Sequence, residues 1–209
     1  MLGNIFFAAL AVKSFLPGRS RADSVKVLLL KIKAYYRRAN PPTKINSLTV
    51  DMIKRDGKKP KLRLKGAETR HLVPFCVELA HECYKVAKTP YWFQILQLSR
   101  NLLTFYMCLG VSPYDAETAA VAARHCLEIY AALSAITPDL MWVLKPKAHL
   151  FAELAEFQAR EFGDPRWFWA YQDEDFVGMI GKIAASRGGA RVVDTIARRV
   201  FDKYRVLTK

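Results

Sequence analysis

At 209 residues the chain is long enough for one domain with a sizeable core, and 52% apolar residues with 12% aromatics exclude a disordered chain. The net charge of +14 is unevenly spread: residues 1–70 hold 17 of the 33 Lys and Arg but only 4 of the 19 Asp and Glu. Such a field recruits polyanions, either nucleic-acid phosphate or an anionic membrane surface, or else it is a solvated face that aids solubility.

In chain order, Leu2, Ile5, Phe6, Ala9 and Leu10 repeat with the helical period, which predicts a first helix ending before Pro17-Gly18. It is apolar almost all round, so it needs cover on more than one side, and the expectation is a protein partner docked on it. The stretch lacks a basic leader and is too short to span a bilayer, which predicts an intracellular chain, cytosolic, nuclear or in an organellar matrix, with no membrane span. A second helix is predicted over residues 22–38, stopped by Pro41-Pro42. Ser47 reads as the cap of a short helix through Lys54.

The most basic segment follows, KRDGKKPKLRLKGAETR over residues 54–70, with eight Lys or Arg in seventeen positions. Gly57, Pro60 and Gly66 predict a flexible loop over 54–66 whose Lys54, Arg55, Lys58, Lys59, Lys61, Arg63 and Lys65 would contact nucleic-acid phosphates without reading bases. An ordinary surface loop or an import signal is the alternative. Residues 67–88 read as helix, broken near Pro74, and Thr89-Pro90 as the cap and first turn of an apolar central helix to residue 109, closed by Gly110. Ser112-Pro113 opens an alanine-rich helix to residue 136. Cys76, Cys83, Cys108 and Cys126 lack metal spacing and read as buried hydrophobes; His71, His81 and His125 likewise form no ligand set.

Residues 142–181 gather the most varied chemistry. A helix over 147–162 is expected to turn Leu150, Leu154 and Phe157 to the core, while His149 and Glu153, four apart, share a face as an exposed pair or as two ligands of a divalent ion. Trp167, Phe168, Trp169 and Tyr171 would plug a core end or stack on bases. Asp173, Glu174 and Asp175 open a helix to about residue 186, where the helix dipole alone accounts for carboxylates. They could also give one acid to a Mg²⁺ or Mn²⁺ site completed elsewhere, with His149 nearby. Gly188-Gly189 precedes a last amphipathic helix over 190–206.

Pro146, Lys147, His149 and Leu150, followed by Asp173-Glu174-Asp175 at the start of a helix, resemble the C-terminal part of RNase H-fold transposases of the Kyakuja–Dileera–Zisupton type and of transposon-derived reading frames of dinoflagellates. The resemblance covers residues 145–178. It implies that Glu174 or Asp175 is the last catalytic metal-binding acid, with His149 beside it, and that the family's strands and first two acids would precede Met1.

With no strand alternation bounded by turns and no internal repeat, the expected class is all-α: one helical domain over 1–209, a bundle of about seven to eight helices with a basic N-terminal third (1–70) and a helical core (71–209). Its expected function is nucleic-acid association by a transposase-derived domain that is not catalytic alone and has neither a resident cofactor nor a small-molecule substrate. The alternative is a non-catalytic scaffold subunit of a ribonucleoprotein or other assembly.

Overall fold

Short polar side chains fix four of the helix starts among the described residues. Ser20 accepts from the Asp23 N–H while Asp23 accepts from the Ser20 N–H, a reciprocal box. Thr49, Thr89 and Asp115 likewise accept from the backbone N–H three residues on, each cap contributing about 1 kcal/mol. In the computed structural model, which describes residues 1–55, 57–137, 141–144 and 146–168, the helices are α1 (Leu2–Ala9), α2 (Arg21–Ala39), α3 (Val50–Ile53), α4 (Gly66–His71), α5 (Val73–Ala87), α6 (Pro90–Cys108), α7 (Ala116–Ile136), α8 (Pro146–Glu153) and α9 (Ala159–Phe162). A π-helical turn, Leu154–Gln158, joins α8 to α9, and a 3-10 turn, Pro165–Trp167, follows. No strand occurs among the described residues; the fold is all-α. The chain divides into two compact units, Met1–Trp167 and Phe168–Lys209, and the described residues lie almost wholly in the first.

Two starts differ from the expected ones. Thr49 caps α3 in place of Ser47, because the cap must be the extended residue whose oxygen reaches the N–H three positions on. Asp115 caps α7, and the cis Ser112–Pro113 peptide lies in the connector before it. The break expected near Pro74 falls at Leu72, which leaves Pro74 in the first turn of α5, where its missing N–H costs nothing. Gly110 and Gly163, at φ +89 and +82, close the chain turns after α6 and α9.

The core is built on α6, whose Trp92, Ile95, Leu96, Leu98, Leu102 and Phe105 are buried between α5 and α7. Ala119, Ala120, Ala122 and Ala123 present only methyl groups and so bring α7 close to α6. By length and composition α7 is the one described helix apolar enough to cross a membrane; in this fold its alanine face packs in the core. On α1, Leu2, Gly3, Asn4, Ile5, Phe6, Ala8 and Ala9 are buried. The cover comes from the chain itself, through α5 and α3, with Phe6 edge-on to Phe75 at 6.1 Å. Burial of Ile5 and Phe6 stabilises by about 1.5–3 kcal/mol each. The expectation that α1 offers its apolar face to a partner is thereby corrected.

A polar network ties residues 141–143 to this core. The Trp142 indole N–H donates to the Tyr91 hydroxyl at 3.0 Å, and its ring stands edge-on to Tyr130 at 5.4 Å. The Tyr130 hydroxyl donates to the Val143 carbonyl and accepts from Asn4 Nδ2, which also donates to the Met141 carbonyl at 2.9 Å.

The helical region after it turns a different face inward from the one expected. Phe151 packs edge-on to Phe105 at 4.9 Å, and Ala155 and Ala159 are buried, whereas Leu150 is 60% and Phe157 69% exposed. Residues 151, 155 and 159 lie one i,i+4 row apart, and the π-helical turn keeps that row in register against α7 where a plain α-helix would rotate away.

Candidate nucleic-acid interface

Residues 59–65, Lys-Pro-Lys-Leu-Arg-Leu-Lys, alternate charged and apolar side chains, and the structure uses that alternation. Pro60 is buried and Leu62 and Leu64 are half-buried against the core, while Lys59, Lys61 and Lys65 stand exposed with Arg63 half-exposed between them. In an extended chain successive side chains take opposite sides, so the cations of one side recur about every 7 Å. The flexible loop expected here is therefore an ordered strap. Its backbone is tied to the end of α3, the Lys61 N–H donating to the Ile53 carbonyl and the Arg63 N–H to the Met52 carbonyl, both at 2.8 Å. The far end is held by the Lys65 N–H on the Glu68 carboxylate at 2.9 Å.

Gly3 explains how the strap lies so close to α1. A Cβ at that position would sit 2.4 Å from the Leu62 nitrogen and 2.9 Å from the Lys61 carbonyl carbon, inside contact distance of backbone that cannot yield. Only glycine allows the approach.

Two of the strap cations, Lys54 and Arg63, are positioned by neutral partners. Lys54 Nζ stands over the Phe7 ring at 4.5 Å, with the Arg21 guanidinium over the same ring at 5.2 Å. Arg63 Nη1 donates to the Asp51 carbonyl at 2.9 Å. Arg55, Lys58, Lys59, Lys61 and Lys65 are exposed. Among the described residues, none of the seven cations expected to bind phosphate forms an ion pair with a carboxylate. A row of exposed charges on a hydrogen-bonded backbone, with no carboxylate partner among the described residues, suits polyanion contact, and extended Lys and Arg carry no base code by themselves. A groove of about 650 Å³ runs along the strap between Ile45, Met52, Arg63 and Lys65.

The expected metal centre is placed only in part. His149 has an 83% exposed side chain and its Nε2 lies 3.9 Å from Glu153 Oε2, an open pair on α8. Among the described residues no three His, Cys, Asp or Glu side chains converge on a metal position. Asp173, Glu174 and Asp175, as well as Trp169 and Tyr171, lie outside the described residues. Trp167, expected to plug the core, is 79% exposed, because the 3-10 turn is anchored instead by its neighbours. The buried Asp164 carboxylate accepts from the Gly110 N–H at 2.7 Å and from the Arg166 N–H and Nε at 2.9 and 2.8 Å. Burial opposes its charge, but these hydrogen bonds and the guanidinium outweigh burial and hold the carboxyl below its ordinary range.

Cys76, Cys83 and Cys126 are buried as expected, whereas Cys108 is half-buried. Burial pushes Cys83 and Cys126 up to about 12 and Cys76 up as well, so no thiolate forms near neutral pH. His125 is exposed on α7. Sequence reasoning missed three features: the strap, whose signal was the alternation at 59–65; Asn4, a polar residue inside an apolar helix; and Asp164, hidden in a turn dipeptide.

Comparisons with protein-family models, with curated proteins and with solved structures find no match to this chain.

Proposed function

We propose that the chain is a nucleic-acid-associated helical module that holds phosphates on the strap at residues 54–65. The observation that carries this reading is the strap itself: Lys59, Lys61, Arg63 and Lys65 project from backbone hydrogen-bonded to α3, and no carboxylate among the described residues neutralises them. Polyanion binding of this kind weakens steeply with salt. The test is titration of short DNA and RNA strands at several salt concentrations against the chain and against a variant carrying Lys59→Gln, Lys61→Gln and Lys65→Gln. Loss of affinity in the variant with unchanged melting temperature supports the proposal; no binding at low salt refutes it.

A scaffold role is favoured by a different observation, the exposure of Leu150, Phe157, Phe162 and Trp167 along the chain from α8 onward. Its test is assembly state: Phe157→Ser lowers self-association or co-purification with a defined partner and leaves strand affinity unchanged. Descent from a transposase rests on residues 145–178 alone. If the triplet retains a metal function, millimolar Mn²⁺ raises the melting temperature and Glu174→Gln abolishes that shift.

A further inference from the structure

Beside the strap lies a cavity of about 390 Å³ that phosphate contact alone does not explain. Lys59, Lys61 and Lys147 line it and are exposed, so they mark its mouth. Asn4, Leu102 and Tyr130 line it and are buried, so they mark its floor. Between them Tyr106, Leu127 and Phe151 give half-buried apolar walls. An apolar pocket of this size with a few fixed polar groups is the form that small-ligand sites take.

Asn4 decides what fits. It is 4% exposed, and its amide nitrogen spends its two hydrogens on the Tyr130 hydroxyl and the Met141 carbonyl. Because a carbonyl can only accept, that bond fixes which end of the amide is nitrogen. The Oδ1 is left as the acceptor, with no hydrogen bond among the described residues. An acyl chain would enclose this oxygen dry and unpaired, at a cost. A flat heterocycle with N–H groups on its edge would pair with it while its faces meet the apolar walls at Leu127 and Phe151. The anionic group of the same ligand would then lie at the mouth, where Lys59 and Lys61 stand about 7 Å apart on the strap.

We infer that the cavity is a nucleobase site: it takes one unstacked base whose neighbouring phosphate rests on Lys59 and Lys61. The inference rests on the phosphate-binding reading of the strap and adds to it a preference for single strands, since a base paired in a duplex cannot enter. The same chemistry is offered by a free mononucleotide.

The test compares a short single strand, an abasic strand of equal length and charge, the matching duplex, and adenosine monophosphate, each titrated against the full chain. The single strand is expected to bind about tenfold more tightly than the abasic one. Filling the cavity by Leu127→Trp, or from the opposite wall by Ala148→Phe, should bring the single strand down to the abasic affinity without altering the latter; melting curves identify which variant folds. Adenosine monophosphate binding as tightly as the strand, with the same loss on filling, identifies a free nucleotide as the occupant. Equal affinity for base-bearing and abasic strands, unchanged by either filling variant, overturns the base site and leaves the phosphate reading standing. Absence of binding by both strands and by the mononucleotide overturns both.

Discussion

Residues 71–168 set four of their Lys and Arg against carboxylates, whereas residues 1–70 set six of theirs against neutral groups. In the first case Lys85 meets Glu82, Arg124 meets Glu156, Arg160 meets Glu117 and Arg166 meets Asp164. In the second, Lys31 lies over Phe15, Arg21 and Lys54 over Phe7, Lys13 on the Ser24 hydroxyl, Lys44 on the Asn40 amide and Arg63 on a backbone carbonyl. Lys26 and Arg38 of this stretch do meet carboxylates, Asp23 and Glu78. Exposed ion pairs contribute about 0–1 kcal/mol, so the difference is not one of stability. An aromatic face or a carbonyl fixes where a cation sits without cancelling its field. One region is a nearly neutral scaffold and the other is a positive surface mounted on it.

That contrast breaks first if the scaffold is damaged. Trp142→Ala removes a fully buried ring and leaves the Tyr91 hydroxyl without its donor; a loss of about 3–5 kcal/mol in chemical denaturation is expected. Gly3→Val tests the mounting, because the added carbons collide with the strap backbone. Stability should fall by about 1–3 kcal/mol and strand affinity should fall with it, although no charge is altered. Unchanged affinity would reduce the surface to its charge count.

Asp164→Asn probes the paired region and should cost about 1–3 kcal/mol. Because the folded carboxyl lies below its ordinary value, the contribution is complete above about pH 4 and is lost as pH falls through the folded pKa. The gap between native and variant melting temperatures should therefore be flat near neutrality and close in acid. A gap that widens in acid would reverse the assigned shift. The smallest effect belongs to Phe7→Leu, which frees Lys54 and Arg21 from the ring. About 0.5–1 kcal/mol is expected per cation–π contact, measured as stability, with a modest loss of affinity.

Much of this architecture is legible in residue order. Thr89 with Pro90 and Gly110 announce their helix ends through local chemistry, and local chemistry decided them, whereas the Ser20–Asp23 box starts α2 at Arg21, one residue before the expected start. The inward face of α8 was not legible, since Leu150, Phe151, Leu154 and Phe157 give apolar residues on several faces and only the fit against α7 selects Phe151, Ala155 and Ala159. Gly57, Pro60 and Gly66 drew attention away from the alternation between them, so the strap read as a loop. Asn4 could not be recognised as a cavity acceptor because Tyr130 and Met141, its partners, lie more than a hundred residues away.

The central claim is that the strap cations act on phosphate as a positioned, uncancelled row. The direct measurement is the slope of log affinity against log salt for a single strand, compared between the chain and the variant carrying Lys59→Gln, Lys61→Gln and Lys65→Gln. Each lost phosphate contact on a single strand removes about 0.7 from the slope, so a decrease of about 2 is predicted. Replacing Lys85, Arg124 and Arg160 by Gln should leave the slope where it was. An equal decrease in both sets, or none in the first, would contradict the account.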